Sequence, residues 1–215
     1  GNGDFISILS GFLDGSPSFT GIDLDPEDFE EGRKAFEGHP VELLEMDGAA
    51  MDFADGEFDM VCISNSLHHI EDVQSVLKEM YRVLRPGGVF ILQEMFSDGE
   101  QTEAQVNHIL THHWSARVDN LDGTYHRETF SREEIRSSIG PLGLRDLQEL
   151  EISHNIKCLD CEDRFKCVDP KNPDIIADEV DEIEEDLDFL EELEDRHMAD
   201  GLAEEGRALI GRIRE

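Results

Sequence analysis

The sequence predicts an α/β fold with a mostly parallel sheet, and three observations support this prediction. Short apolar segments with the length of buried strands alternate with segments that have the apolar spacing of helices. Two glycines, Gly1 and Gly3, open the chain and suit a tight turn from a strand into a helix. The next apolar segment ends at an acidic residue, Asp23, about 20 residues after the glycines. Glycines followed at this spacing by an acid are typical of a sheet that binds a nucleotide-like cofactor.

The segments after Asp23 continue the alternation of strands and helices. A helix with apolar residues three and four apart covers 73–84 and ends at the stop signal Arg85-Pro86-Gly87-Gly88. Ser131 and Glu134 form a capping box that begins another helix. Further strands are predicted, in order, at residues 41–46, at 53–64 (a turn and then a strand), at 89–92 and at 144–152.

These segments together resemble the class I S-adenosylmethionine (SAM)-dependent methyltransferases, and within them the ubiquinone and menaquinone type. The resemblance is carried by Gly21-Ile22-Asp23, by Leu67-His68-His69-Ile70-Glu71-Asp72 and by Val83-Leu84-Arg85-Pro86-Gly87-Gly88. It covers residues 1–95 strongly and residues 96–153 loosely. It implies a doubly wound, Rossmann-like sheet and an enzyme that transfers the methyl group of SAM to a small-molecule acceptor. A metalloid acceptor is one alternative, and a catalytically inactive interaction module is another.

The resemblance also implies which residues bind SAM. Glycines would face its methionine part, Asp23 would accept hydrogen bonds from the ribose hydroxyls, and Asp47 would lie beside the adenine amine. The same positions follow the carboxyl ends of parallel strands, where an open α/β sheet forms its ligand crevice. An alternative is that the two aspartates are loop residues of an acidic protein. The full expected set is Gly1, Gly3, Asp23, Leu24, Asp47, Gly48, Ser64 and Asn65.

A strand ahead of the first glycine is expected from the resemblance, at the centre of the sheet. The simplest expectation is that a native segment precedes Gly1. Two alternatives are that another chain supplies the strand, or that the protein is truncated and SAM binding is in doubt. Without that strand, its two neighbours would have backbone groups with no ladder partner.

The length of 215 residues suits one domain with an appendage. We expect a SAM-binding domain over residues 1–153, with a substrate segment at 96–130. A cysteine-containing connector would cover 154–173, and an acidic helical appendage would cover 174–215.

The charge limits the classes of partner. The formal net charge is −34, from 52 acidic and 18 basic residues, and this argues against nucleic acid or an anionic membrane surface. No run of 18 apolar residues predicts a membrane span, and no signal leader is visible, so we expect a cytoplasmic protein. Such an acidic surface also fits a high-salt cytoplasm, where salt screens the repulsion.

Residues 96–130 are the segment expected to choose the acceptor, because in the resembling family the region after the fifth strand caps the pocket. Methyl transfer depends mainly on positioning, but an oxygen or carbon nucleophile usually needs a base. The candidates for that base are His69, His113, Tyr125 and His126.

A metal is a second interpretation of the same segment. His108 and His112 are four residues apart on one helix face, a spacing that lets two imidazoles share a metal ion. His126 or Glu103 could be the third ligand. The alternative is a polar helix face that lines a pocket without a metal.

Three of the four cysteines lie close together after the last predicted strand. Three thiolates and an imidazole could bind zinc, and the thiolates alone could hold an iron–sulfur cluster. Free thiols or a disulfide are the alternatives. The fourth cysteine, Cys62, is expected to be buried in its strand. The proposed metal ligands are His154, Cys158, Cys161 and Cys167.

The C-terminal segment combines acidic charge with a regular apolar stripe. Residues 174–195 contain 13 acids and no base, and apolar residues recur at alternating spacings of four and three. A break near Asp200-Gly201 would separate this helix from a second one. We expect a helical hairpin that packs on the sheet; a homodimer or another partner bound through these helices is the alternative. The stripe comprises Ile176, Val180, Ile183, Leu187 and Leu190.

Overall fold

The computed structural model describes residues 3–15, 17–27, 29–151, 173–192 and 196–214. The chain divides into two compact units. We call the first one, Gly1–Leu67 with Asp72–Glu94 and Ser138–Leu142, the sheet unit. We call the second one, His68–Glu71 with Met95–Ser137 and Gly143–Glu215, the helical unit.

The sheet unit alternates strands and helices as the sequence predicts. Its helix α3 begins after Asp72, whose carboxylate accepts a hydrogen bond from the Ser75 backbone N–H at 3.1 Å, and this satisfies an otherwise unpaired donor. The elements are α1 Asp4–Phe12, β1 Phe19–Asp23, α2 Phe29–Ala35, β2 Val41–Glu45, β3 Phe58–Ser64, α3 Val73–Val83 and β4 Leu84–Gln93.

The four strands pair in two separate parallel ladders, β1 with β2 and β3 with β4. The α/β class with parallel strands is therefore confirmed. Among the residues that the structure describes, no strand pairs with the second edge of β1 or of β3. Every residue of β1 is only partly buried.

Two strand predictions differ from the structure. Strand β4 begins at Leu84, not at residue 89, and its pairing with β3 is irregular between Phe58 and Met60. The strand predicted at 144–152 is wrong for the part that is described, because residues 144–151 are not a strand. Leu150 there is 79% exposed, and Glu149 pairs with Arg136. A strand needs a ladder partner, and the structure gives this segment ion pairs instead.

The helical unit consists of four helices. Thr102 and Gln105 form a capping box at the start of α4, and Gly123 ends that helix with a φ of 92°. The predicted capping box of α5 is confirmed, since Glu134 N donates to Ser131 Oγ at 3.2 Å and Ser131 N donates to Glu134 Oε2 at 2.8 Å. The helices are α4 Glu103–Asp122, α5 Arg132–Ile139, α6 Pro173–Glu192 and α7 Arg196–Arg214.

The apolar stripe of the C-terminal hairpin packs on α4. Trp114 of α4 is fully buried in this core, and its indole N–H donates to the Leu202 carbonyl at 2.9 Å. Val180 and Ile183 of α6 are buried in the same cluster. The prediction of a helical hairpin is confirmed, and its described core is with α4, whereas the sequence predicted packing on the sheet. Leu190, Leu209 and Ile213 are also buried in this cluster.

The predicted break at Asp200-Gly201 is wrong. Helix α6 ends at Glu192 and α7 begins at Arg196, so the pair lies inside α7. A glycine inside a helix costs only about 1 kcal/mol relative to alanine, which packing of the rest of the helix can offset.

Two glycines of α7 offer a sharp test of this core. A Cβ added at Gly206 would lie 2.6 Å from Cζ2 of buried Trp114, whereas one added at Gly211 would meet nothing within 4 Å. We expect Gly206→Ala to lower the free energy of unfolding by roughly 1–3 kcal/mol through overpacking. Gly211→Ala should raise it by up to about 1 kcal/mol, because alanine is the better helix former. Urea unfolding of both variants measures the difference, and equal effects would contradict the described contact.

Candidate functional site

Polar residues follow the carboxyl ends of the strands in the sheet unit. Parallel pairing places the end of β1 beside the end of β2, with Asp23 opposite Glu45. It likewise places Ser64 opposite Gln93 at the ends of β3 and β4. These are the ends at which open parallel sheets bind ligands.

Gly3 begins α1 in a conformation that favours glycine, with a φ of 91°. Its carbonyl oxygen accepts hydrogen bonds from the backbone N–H groups of Ile6 at 2.9 Å and Ser7 at 3.2 Å. A Cβ at this position would lie 2.7 Å from the Phe36 ring. Both the backbone angle and the close approach therefore require glycine at Gly3. Gly1, the other glycine predicted to bind the cofactor, lies outside the described residues.

Asp23 and Leu24 form the exit of β1. The Asp23 carboxylate accepts a hydrogen bond from the Asp25 backbone N–H at 3.1 Å, which orients it at the strand end. Leu24 is 69% exposed. A partly buried carboxylate beside an exposed apolar side chain suits a ligand with a hydroxylated sugar and an apolar ring.

Asp47 and Gly48 form the exit of β2. The Asp47 carboxylate accepts a hydrogen bond from the Ala49 backbone N–H at 2.8 Å, and this bond forms a local turn over residues 47–49. A Cβ at Gly48 would lie 3.4 Å from Val76 of α3, so the backbone approaches this helix closely.

Ser64 and Asn65 form the exit of β3. Ser64 Oγ donates to Gln93 Oε1 at 3.3 Å, and the Asn65 backbone N–H donates to the Gln93 carbonyl at 3.0 Å. Asn65 has a φ of 46°, a left-handed conformation that is uncommon outside glycine and often occurs at functional sites. The carboxylate of Glu94 accepts from the Leu67 backbone N–H at 2.8 Å and holds the following turn. Glu94 was not predicted, although an acid at a strand end is a usable signal.

Arg82 of α3 holds the segment that follows Asp47. Its guanidinium donates to the Met51 carbonyl at 2.9 Å and to the Phe53 carbonyl at 2.7 Å. It also pairs with Glu79 and Asp55. A planar fork with five N–H donors can make all these bonds at once, and a lysine ammonium cannot.

We therefore expect Arg82→Lys to lower the melting temperature by a few degrees, because the backbone carbonyls of the segment lose their donors. The measurement is thermal unfolding followed by circular dichroism. Arg85→Lys is the matched control, since Arg85 is 57% exposed and pairs only with Asp59 among the described contacts. An equal shift for both variants would contradict a special role for Arg82.

The helical unit contains a group of four imidazoles, His68, His69, His112 and His126, which we call the histidine cluster. The ring centroids of His69 and His126 are 4.2 Å apart. The ring centroid of His112 is 4.7 Å from that of His68 and 4.7 Å from that of His126. Three parts of the chain supply them: a 3-10 turn at Leu67–His69, helix α4 and the segment after it. The Arg127 backbone N–H donates to the His68 carbonyl at 2.9 Å and joins two of these parts.

Hydrogen bonds orient the imidazole of His126. Its Nδ1 lies 2.6 Å from Asp119 Oδ2, and its Nε2 lies 3.2 Å from Nε2 of His112. Because a carboxylate only accepts, Nδ1 of His126 is the donor in this bond. Burial, with a smaller contribution from the neighbouring histidines, lowers the pKa of His112 to about 3, so this imidazole is neutral at physiological pH.

The other base candidates lie in different surroundings. The imidazole of His113 contacts Thr129 Oγ1 at 2.6 Å, and burial lowers the pKa of His113. Tyr125 is 40% exposed. His108, the predicted partner of His112, is exposed. The structure thus brings His69 and His126 together and adds His68, His112 and Asp119, which the sequence did not single out for catalysis.

The cysteine predictions divide in two. The predicted metal ligands His154, Cys158, Cys161 and Cys167 lie outside the described residues. Cys62 is half-buried in β3, and burial raises the pKa of its thiol to about 11. Cys62 is therefore a weakly reactive thiol, as expected for a residue within a strand.

A parallel α/β sheet with glycine, carboxylate and hydroxyl groups at its strand exits defines the Rossmann-like class of cofactor-binding proteins. Residues 1–92 match the family model described as a methyltransferase domain. This part of the chain is therefore similar to the methyltransferase domains of that family.

The demethylmenaquinone methyltransferase of Staphylococcus saprophyticus is 34% identical over 95 residues, which are 44% of this chain and 41% of that protein. The chain thus spans about two fifths of the length of this relative.

Solved structures give the same fold. The YcgJ protein of Bacillus subtilis has a TM-score of 0.55 at 18% identity, covering 91% of this chain and 76% of that chain. Phosphoethanolamine N-methyltransferase 2 of Haemonchus contortus, solved with S-adenosylhomocysteine, has a TM-score of 0.51 at 18% identity. That match covers 98% of this chain and 49% of the other. The Rossmann-like fold class is confirmed. Within the described ranges, no helix has the length and apolar character needed to cross a membrane.

Proposed function

We propose that the protein transfers the methyl group of SAM to a small-molecule acceptor. The observation that carries this proposal is the methyltransferase-domain match over residues 1–92, which contains all eight residues predicted to bind the cofactor. Seven of them are described, and each lies at a helix start or a strand exit of the sheet unit. Methyl transfer mainly requires the protein to align the acceptor with the methyl group of SAM and to exclude water.

Each strand exit would contact a different part of SAM. Gly3 and the β3 exit, Ser64 and Asn65, would contact the methionine part. Asp23 would bind the ribose hydroxyls, and Asp47 would bind the adenine amine. The physical support is the chemistry of these groups: carboxylates accept hydrogen bonds from hydroxyls and amines, and a backbone without Cβ allows close approach.

The acceptor is a separate part of the proposal. The relative in Staphylococcus saprophyticus is named for demethylmenaquinone, so a reduced quinone is the first acceptor to test. The match to the methyltransferase model ends at residue 92, ahead of the segment 96–130 that we predict to choose the acceptor. Phenols, thiols and amines therefore belong in the same test. In the metal-free protein, His69 and His126 are the favoured bases for an acceptor that must lose a proton, because their rings lie 4.2 Å apart and Asp119 orients one of them.

The test has two stages, both on the full-length protein. Isothermal titration calorimetry with SAM and with S-adenosylhomocysteine measures cofactor binding. Transfer of a radiolabelled methyl group is then measured with a quinol, a phenol, a thiol and an amine. We expect micromolar binding of both nucleosides and label transfer to at least one acceptor. Absence of binding at 1 mM SAM would contradict the proposal. A Kd of 1 mM corresponds to a binding free energy of about −4 kcal/mol.

Several finer points remain part of the proposal. We infer that the enzyme does not bind nucleic acid, because its net charge is −34. We also infer a cytoplasmic location. A zinc ion or iron–sulfur cluster at the Cys158, Cys161 and Cys167 group stays a prediction. So does a homodimer through the C-terminal helices. Since Val180, Ile183 and Leu190 of the apolar stripe are buried in the core with α4, a homodimer would use the outer faces of these helices, where Met198 is 54% exposed.

A further inference from the structure

We propose that the histidine cluster binds a divalent transition-metal ion, preferably zinc, through His68, His69 and His126. One ring nitrogen from each of these side chains lies within 4.8 Å of the corresponding nitrogen of the other two. His68 and His126 are buried, and His69 is exposed to solvent. Three imidazoles with an open fourth position are a known arrangement for zinc, in which water or a small ligand completes the tetrahedron.

The separations suit a shared ion. Zinc–nitrogen bonds of 2.0–2.1 Å at tetrahedral angles place two ligand nitrogens about 3.3 Å apart. The Nε2 atoms of His112 and His126 are 3.2 Å apart, a hydrogen-bonding distance, so His112 lies directly beside the ligand nitrogen of His126 without belonging to the ligand set. The ligand nitrogens of His68, His69 and His126 lie within 4.8 Å of one another and would close to about 3.3 Å around the ion.

Asp119 gives His126 the environment of a metal ligand. Histidines that bind metals usually donate their second ring N–H to a carboxylate or a carbonyl, which fixes the tautomer and the ring orientation. The bond from His126 Nδ1 to Asp119 Oδ2, at 2.6 Å, does this and directs the lone pair of Nε2 into the cluster. The Asn120 amide also donates to the His126 carbonyl and holds the backbone.

The surroundings of the cluster favour a cation. The formal net charge of the protein is −34, and the Asp119 carboxylate lies 2.6 Å from Nδ1 of His126. Nδ1 of His112, beside the ligand set, is buried and has no hydrogen-bond partner among the described contacts.

The test must separate this site from the cysteines of the same chain. We therefore use full-length protein in which Cys158, Cys161 and Cys167 are serine. Zinc affinity is measured by competition with a chelating dye, and Co²⁺ is added as a spectroscopic probe. We expect one equivalent of zinc with a Kd of about 1 µM or tighter. We also expect visible Co²⁺ bands of a tetrahedral nitrogen site, without the near-ultraviolet charge-transfer bands of thiolate ligands.

Three variants define the ligand set. His126→Ala should weaken zinc binding at least 100-fold, and Asp119→Asn should weaken it by about 10- to 100-fold through loss of the orienting carboxylate. His108→Ala is the control, because this imidazole is exposed on α4, the helix that carries Asp119, and is outside the proposed ligand set. Circular dichroism establishes that each variant is folded.

Two results would overturn the proposal: zinc binding weaker than about 100 µM in the serine background, or an equal loss of affinity in His108→Ala and His126→Ala. Calorimetry with SAM distinguishes this proposal from the proposed function. Loss of zinc with unchanged SAM affinity in His126→Ala supports an independent metal site. Absence of SAM binding in every protein, with zinc bound, contradicts the methyltransferase proposal alone.

Discussion

We expect Asp23→Ala to weaken SAM binding by roughly 10- to 100-fold. A hydrogen bond to a charged group contributes about 1.5–3 kcal/mol, and each 1.4 kcal/mol is a tenfold change in affinity. The proposed role of the Asp23 carboxylate is to accept from the ribose hydroxyls, which alanine cannot do. Isothermal titration calorimetry of the wild type and the variant measures the loss directly.

Asp25→Ala is the matched control for this prediction. Asp25 lies two residues further along the same loop and accepts a hydrogen bond from the Glu27 backbone N–H at 2.9 Å. Loss of the Asp25 carboxylate should leave SAM affinity within about twofold of the wild type, because a hydrogen bond within the turn contributes little to ligand binding. Equal SAM affinity of the wild type and Asp23→Ala would reject the ribose assignment. An equal loss in both variants would instead indicate a change in the shape of the loop.

Trp114→Ala should be the most destabilising single change in the helical unit. The indole is fully buried between α4 and the C-terminal hairpin, and its N–H donates to the Leu202 carbonyl. Truncating a buried tryptophan removes apolar contacts and leaves a cavity, at a cost of about 3–5 kcal/mol. We expect α6 and α7 to unfold at a much lower urea concentration in this variant. Circular dichroism is the measurement, because the substitution removes the single tryptophan of the chain and with it the fluorescence signal.

Two further variants show which part of the Trp114 contact matters. Trp114→Phe keeps most of the ring and leaves the Leu202 carbonyl without this donor, so we expect an intermediate cost of roughly 1–3 kcal/mol. Arg117→Gln removes an ion pair with Glu205 that also joins α4 to α7 but is about 40% exposed. We expect a loss of at most about 1 kcal/mol for this surface pair. A cost for Arg117→Gln as large as that for Trp114→Ala would contradict an apolar core as the main contact.

The sheet unit was largely predictable because its signals are local. Strand β2 and helix α3 fall within a residue of their predicted ends, and β3 ends at the predicted residue, Ser64. Apolar runs, a capping residue and a proline–glycine stop act over a few positions along the chain. The polar residues at the strand exits were predictable for the same reason, since the end of a parallel strand is also where a ligand crevice forms.

The errors came from segments whose conformation depends on a partner. The segment 144–151 has the composition of a strand but no ladder partner, and its charged residues pair with α5 instead. Gly201 was taken as a helix break, yet packing of α7 on α4 carries the helix through it. In both cases a tertiary contact decided between two conformations that local propensity leaves close in energy.

The sequence by itself determined the α/β class, the order of the elements in the sheet unit, the residues at the exits of β1, β2 and β3 and the amphipathic C-terminal helices. All of these depend on the period of apolar residues and on turn chemistry, which are properties of neighbouring positions. Only the tertiary structure decided that α4 is the partner of the hairpin and that His68, His69, His112 and His126 converge beside Asp119. Contacts between distant parts of the chain depend on how helices pack, and no local pattern encodes that packing.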